Sequence, residues 1–317
     1  MRRFVFSLCA LGCVGAFGVA HSQASALPNY NLVVFGNLTD QADVQGTAIV
    51  GGNFVSGAAT FGTSLSQVSP GTDVLTVGGN IDSGATANIE AGGDLLLGGT
   101  NSGNVNFNGS PGGTTVHGPP PVNMANLQTQ MINLSNSLNN LTANSTVTLP
   151  GSQPSNITFN ANFVNGTAVF DVSASQIFEN PNAQQILLNV GSASPANSTI
   201  IINVSGSDIN FDDGNMGAAF NESQWASQVL WNFNGATDLN IMNSVDVQRE
   251  LWGSVLAPSA MTTLSSNSPI DGTVVVGNAD LQGEVHLPQF NGVVPVPEPT
   301  TGAIMGLAGL LMLRRRK

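Results

Sequence analysis

Between residues 27 and 297 few side chains can do acid–base chemistry: His117, His286, Arg249 and 18 carboxylates. His286 follows Glu284 by two places in a β-favouring stretch, and residues two apart on a strand share a face. The pair could serve as a general base with its carboxylate partner, but a surface or capping histidine is the simpler reading. His117 borders Gly118 and the prolines at 119–121, so it reads as a loop residue. Arg249 and Glu250 are adjacent and would point apart on a strand. So would Asp212 and Asp213, whereas a sugar hydrolase needs two carboxylates placed toward each other. No catalytic residue is therefore assigned, and the chain is expected not to be an enzyme.

Two other groups of residues could bind without catalysing. Asp208, Asn210, Asp212 and Asp213 alternate oxygen-bearing side chains ahead of Gly214, which suits a hard cation such as Ca²⁺. The glycine falls one place late for an EF-hand and no Glu closes the loop, so polar turn chemistry at a β corner competes. No other metal or cofactor is expected. Trp225, Trp231 and Trp252 could stack on sugars if exposed, although their apolar neighbours favour core packing.

Charge narrows the partners. Of 317 residues only 8% are charged, and six of the seven basic residues lie at the two ends. Residues 27–297 carry 18 acids against Arg249 alone, a net charge of −17. One cation gives no footprint for a phosphate backbone or an anionic lipid surface, so nucleic acid and headgroup docking are excluded. Hydrophobic residues still make up 41%, enough for a sizeable core.

The ends read as addresses. Arg2 and Arg3, the apolar run Phe4 to Val19 and Ala24-Ser25-Ala26 form a signal peptide over residues 1–26. Both cysteines, Cys9 and Cys13, fall inside it, so the exported chain holds no disulfide. Residues 294–317 contain Pro297-Glu298-Pro299, a short apolar run, then Arg314-Arg315-Arg316-Lys317. Twelve helical residues reach about 18 Å, short of a hydrocarbon core of about 30 Å.

The body between them, residues 27–293, must be held by its elements alone. Short β runs end in Gly-Gly-Asn or a close variant, as at 51–53, 78–80, 92–94 and 98–100, and Ile270 to Asn278 repeats the theme. Gly and Asn tolerate positive φ, which suits a sharp corner after each strand. Many such units predict a β-solenoid whose rungs bury apolar faces against one another, with a β-sandwich as the alternative. One segment differs. Met124, Leu127, Met131, Leu134, Leu138 and Leu141 are spaced by threes and fours, which predicts one amphipathic helix over about 122–142, packed alongside the β body. Strands resume after Thr146, including one over Leu251 to Leu256 that ends at Ala257-Pro258, and one over 239–242.

These residues carry two resemblances. Pro297-Glu298-Pro299, the apolar run and the terminal arginines together resemble the PEP-CTERM sorting signal of Gram-negative bacteria. The body is similar to the choice-of-anchor A family of bacterial surface proteins, in Asn31 to Phe35, Val44 to Phe54, Ile201 to Gly206, Gly253 to Pro258, Ile270 to Val276 and His286 to Gly292. The glycine-rich stretch near 98–118 matches weakly, as an insertion would. The resemblance implies an adhesin-like β-helical body without enzymatic activity, at the cell surface or in the extracellular matrix. It implies sorting by an exosortase-type enzyme, with membrane contact only through the tail and exopolysaccharide or other surface proteins as partners. Ice binding and polysaccharide cleavage are the alternatives, and regular Thr-x-Thr ladders are lacking for the first.

Overall fold

The computed structural model describes residues 27, 29–234 and 244–294. The signal peptide, the sorting motif Pro297, Glu298, Pro299, Arg314, Arg315 and Arg316, and the strand expected over 239–242 lie outside the described residues.

The body is a parallel β-solenoid, and the β-sandwich is excluded by its strand directions. Ten strands stack in register to form one face, here face A. Their spatial order is Thr167–Ser173, Thr199–Ser205, Val229–Asn234, the start of Ser254–Leu264, the start of Val274–Leu281, Leu32–Val34, Ala48–Val50, Asp73–Val77, Asp94–Leu97 and Thr115–His117. A second column, face B, runs from Asp208–Phe211 through Ser244–Val247 to Leu38–Asp40 and Phe54–Phe61. A third, face C, stacks Leu251–Trp252, Ile270–Asp271, Val285–His286 and Asp43–Val44. At the wide end a four-stranded sheet abuts face C, where the Trp252 N–H meets Met216 Sδ at 3.3 Å.

Spatial order is not chain order. Val274–Val276 pairs with Val255–Ala257 on one side and with Leu32–Val34 on the other, so the chain's last full rung stacks on its first. Asn31 locks this seam from a fully buried position. Its amide donates to the Gly272 and His286 carbonyls, both at 2.9 Å, and its Oδ1 accepts from the Gly46 N–H at 2.9 Å.

The helix closes the circuit. After Thr115–His117 and the prolines, α1 (Met124–Asn139) returns along face A toward the wide end. Met124 lies over Gly51, Gln128 donates to the Pro258 carbonyl at 2.9 Å, Ser135 meets Asn232, and the Leu138 carbonyl accepts from Asn203. Sixteen residues rise about 24 Å, the height of five rung steps of about 4.8 Å. The helix buries Val33, Ile49, Ile201, Leu230, Leu256 and Val275, the outward residues of face A. That is why these strands read as continuous apolar runs: both their sides are covered.

The interior differs along the axis. Phe159, Phe170, Phe178, Phe211, Phe220 and Trp231 interlock at the wide end, with ring centroids 4.5–5.9 Å apart in their close pairs. Toward the narrow end the Phe54–Phe61 pair, 6.0 Å apart, sits among aliphatic residues, and at the last rung the inward register positions fall to Thr115 and His117. Polar residues there cap the stack. Residues 94–117 form the terminal rungs, and His117 belongs to a strand rather than a loop.

Two further expectations change. The strand expected to stop at Pro258 runs on to Leu264, because the ladder shifts register between Ala257 and Met261 and needs no proline N–H there. The Gly-Gly-Asn glycines at 51–52 and 78–79 do not have positive φ. They are glycine because neighbouring rungs touch. A Cβ at Gly52 would lie 2.5 Å from Asn37 Oδ1 and 2.6 Å from the Gly36 carbonyl oxygen. One at Gly79 would meet Asn53 Oδ1 as tightly.

Candidate adhesive faces and the His286 cluster

The asparagine of each corner bonds to the next rung. Asn278 Oδ1 accepts from the Asn37 N–H at 2.8 Å, Asn37 Oδ1 from the Asn53 N–H at 2.9 Å, Asn53 Oδ1 from the Asn80 N–H at 2.9 Å, and Asn80 Oδ1 from the Thr100 N–H at 2.8 Å. This ladder straightens one edge of the solenoid and crosses the seam between Asn278 and Asn37.

Beside it, three rungs turn neutral polar side chains outward in register. Thr60, Asn88 and Asn106 form one row, and Thr86 and Asn104 another, which ends on the apolar Ala58. Asn106 Nδ2 donates to Asn88 Oδ1 at 2.8 Å and Asn104 Nδ2 to Thr86 Oγ1 at 3.4 Å. Asn108 Nδ2 donates to Glu90 Oε1 at 2.7 Å. The rows are held by one another as well as by the backbone, so the surface is set before any ligand arrives.

Nearer the seam, on face C, His286 is fixed between two carboxylates. Its Nε2 lies 2.8 Å from Glu284 Oε2 and its Nδ1 3.1 Å from Asp271 Oδ1. Partial burial pulls the imidazole pKa down, but the Glu284 hydrogen bond and the charge and hydrogen bond of Asp271 outweigh it, and the net direction is upward. Burial raises Asp271, opposed by His286. The i, i+2 pairing of Glu284 and His286 is therefore present, and Asp271 joins it from the next rung. Neither ring nitrogen is free to take a proton from a substrate. The cluster borders a cleft of about 430 Å³ lined by Gln41, Asp43, Asn267, Gln282 and Glu284.

The residues considered for calcium lie on and just beyond Asp208–Phe211. Asp208 accepts from Ser244 Oγ at 3.1 Å, and Asn210 Nδ2 donates to Asp212 Oδ2 at 3.0 Å. The Arg249 guanidinium donates to the Asp212 carbonyl and, at 3.1 Å, to Asn215 Oδ1. Asp213 donates its N–H to the Phe178 carbonyl. Arg249 thus sets its positive charge beside the backbone of Asp212, and among the described residues no three His, Cys, Asp or Glu side chains converge.

Nor do the tryptophans offer a sugar platform. Trp231 is fully buried and donates its indole N–H to the Trp252 carbonyl at 2.9 Å. Trp225 is buried against Phe163, and Trp252 is half-buried against the core. What sequence reasoning missed is the seam: nothing local to Asn31 or Asp271 tells that residues some 240 and 15 places away are their partners.

A parallel solenoid with a helix along one face and ordered amide rows on another agrees with a family described as "Putative Ice-binding-like adhesive domain", whose pattern matches residues 23–287. The chain belongs to this family. Its matched span covers every rung of the described body up to His286. None of the curated proteins compared with the chain matches it. A crystal structure of an ice binding protein from an Antarctic bacterium Flavobacteriaceae is similar over 82% of this chain at 14% identity, with a TM-score of 0.33. This chain spans 65% of the length of that one.

Proposed function

We propose that the protein is a non-enzymatic adhesive component of the cell surface or extracellular matrix, holding exopolysaccharide or other surface proteins through its outward amide and hydroxyl rows. The observation that carries this is the preset, neutral array of Thr60, Thr86, Asn88, Asn104 and Asn106 on a scaffold whose described residues hold one arginine. Neutral hydroxyl and amide groups suit hydroxyl-rich polymers, and a fixed array loses little freedom on binding. Export would use residues 1–26. Sorting would use Pro297-Glu298-Pro299 and Arg314 to Arg316 through an exosortase-type enzyme, as in choice-of-anchor A proteins with a PEP-CTERM tail. Among the described residues no helix is long and apolar enough to cross a membrane.

The test is a pull-down of the full chain with the producing organism's exopolysaccharide. Saturable binding without loss of polymer length supports the reading, and Asn88→Asp with Asn106→Asp should weaken it at least several-fold. Binding indifferent to those changes would move the adhesive surface elsewhere, and shortening of the polymer would revive a cleaving enzyme.

The family description favours a second reading, binding to ice. The rows repeat every rung, about 4.8 Å, but their amides bond to each other. Thermal hysteresis of the purified chain decides it: a freezing-point gap that Thr60→Leu with Thr86→Leu abolishes supports ice, and no gap removes it.

A further inference from the structure

After Val285–His286 the chain leaves the rungs and climbs the side of the solenoid. The Leu287 N–H donates to Gln45 Oε1 at 2.9 Å and the Phe290 N–H to Thr273 Oγ1 at 3.1 Å. The Asn291 N–H donates to the Ser227 carbonyl at 2.7 Å and the Val293 N–H to Thr199 Oγ1 at 2.8 Å. Val294 is buried in the cluster under α1, beside partly buried Phe290. Residues 287–294 are thus a strap from the seam to the rung of Thr199, next to the wide end.

Its bonds lie in series. A pull on the chain beyond Val294 loads the Val293 bond first, then Asn291, then Phe290, then Leu287. Each gives way in turn before force reaches His286. There the rung is held across its width, by Val285 paired to both Ile270 and Val44, and by Asn31 gripping the His286 carbonyl at 2.9 Å. We infer that the strap is a force-releasable latch: seated, it holds Val294 near the wide end, and under load it peels to the seam while the adhesive rows stay folded. Eight residues supply about 27 Å of chain. The inference rests on the reading that load enters through the tail, but the latch itself is a property of the purified chain.

The experiment holds the full chain by tags at its two ends in optical tweezers. The expected first event is a reversible lengthening below the force that unfolds the body, smaller than the strap's contour of about 27 Å by the distance it already spans when seated. Thr199→Val with Thr273→Val, which removes two acceptors, should shift that event to lower force and leave body unfolding where it was. A first event that already removes rungs, or one the variants do not shift, overturns the latch. Amide exchange on the unmodified chain tests it without a variant. Residues 290, 291 and 293 should exchange ahead of the Thr199–Ser205 ladder, and exchange together with that ladder overturns it as well. Whether the tail anchors is read separately, from the cell fraction holding a chain truncated after Val294.

Discussion

Asn31 shows how much one side chain can carry in a solenoid whose ends meet in the middle. Every polar atom of its amide group is used, and no solvent reaches it. Asn31→Ala would strand two carbonyls and one N–H at the seam, at a cost of about 3 kcal/mol. Chemical denaturation checks this, and a loss under about 1 kcal/mol would mean the seam is held elsewhere. Gly79→Ala would force a methyl against Asn53 and the Gly52 carbonyl oxygen, 2.7 Å from the added carbon, and should cost about 1–3 kcal/mol. Asp40 is a different case. It is 1% exposed, its Oδ1 accepts from the Ala42 N–H at 3.0 Å, and its Oδ2 has no partner. Burial first, then the charges of Asp43 and Asp280, push its pKa well above the ordinary carboxylate value, against backbone hydrogen bonds that lower it. Asp40→Asn keeps the acceptor and removes the charge, so this variant should be more stable than the parent at pH 8, with the difference shrinking toward pH 4.

At the scale of elements, α1 and face A depend on each other. The helix has no charged residue at either end, and its stripe is modest, so tertiary burial must hold it. Leu138 is fully buried against the rungs, and Asn232 and Asn203 reach up to the Ser135 and Leu138 carbonyls, each at 2.9 Å. Leu138→Ala should cost about 2–4 kcal/mol and leave the parallel ladders intact. The check is a lower melting temperature with unchanged β signal in circular dichroism. The stripe was legible in the sequence because 3.6-residue periodicity is local. Which strands it would cover was not, because they come from both halves of the chain.

At the scale of the whole molecule, the charge balance predicts a pH response. His286, raised by its carboxylate partners, contributes stability that is present below its ordinary value near 6.5 and fades as pH rises through the folded value. Asp40 and Asp271 also bind protons more readily folded than unfolded, so they too favour the fold in acid and oppose it as pH rises. Mutual repulsion of the many carboxylates acts the same way. The melting temperature should therefore fall steadily between about pH 5 and pH 8; a rise over that window would show that another group dominates.

Sequence by itself determined the rung chemistry. Gly-Gly-Asn corners, apolar runs and the helical stripe are local patterns, and each became the element it predicted. Their physical reason was only half visible: the corner glycines serve close approach between rungs, not positive φ, and contact between rungs is invisible along the chain. The tertiary structure alone decided the order of the stack. The first rung meets the last because the helix returns the chain over about 24 Å, letting residues 144–294 build downward onto Leu32–Val34. That closure pairs Asn31 with His286 and seats the start of the strap, Leu287 on Gln45. These contacts span long stretches of sequence, and no local propensity encodes which distant rung a strand will find.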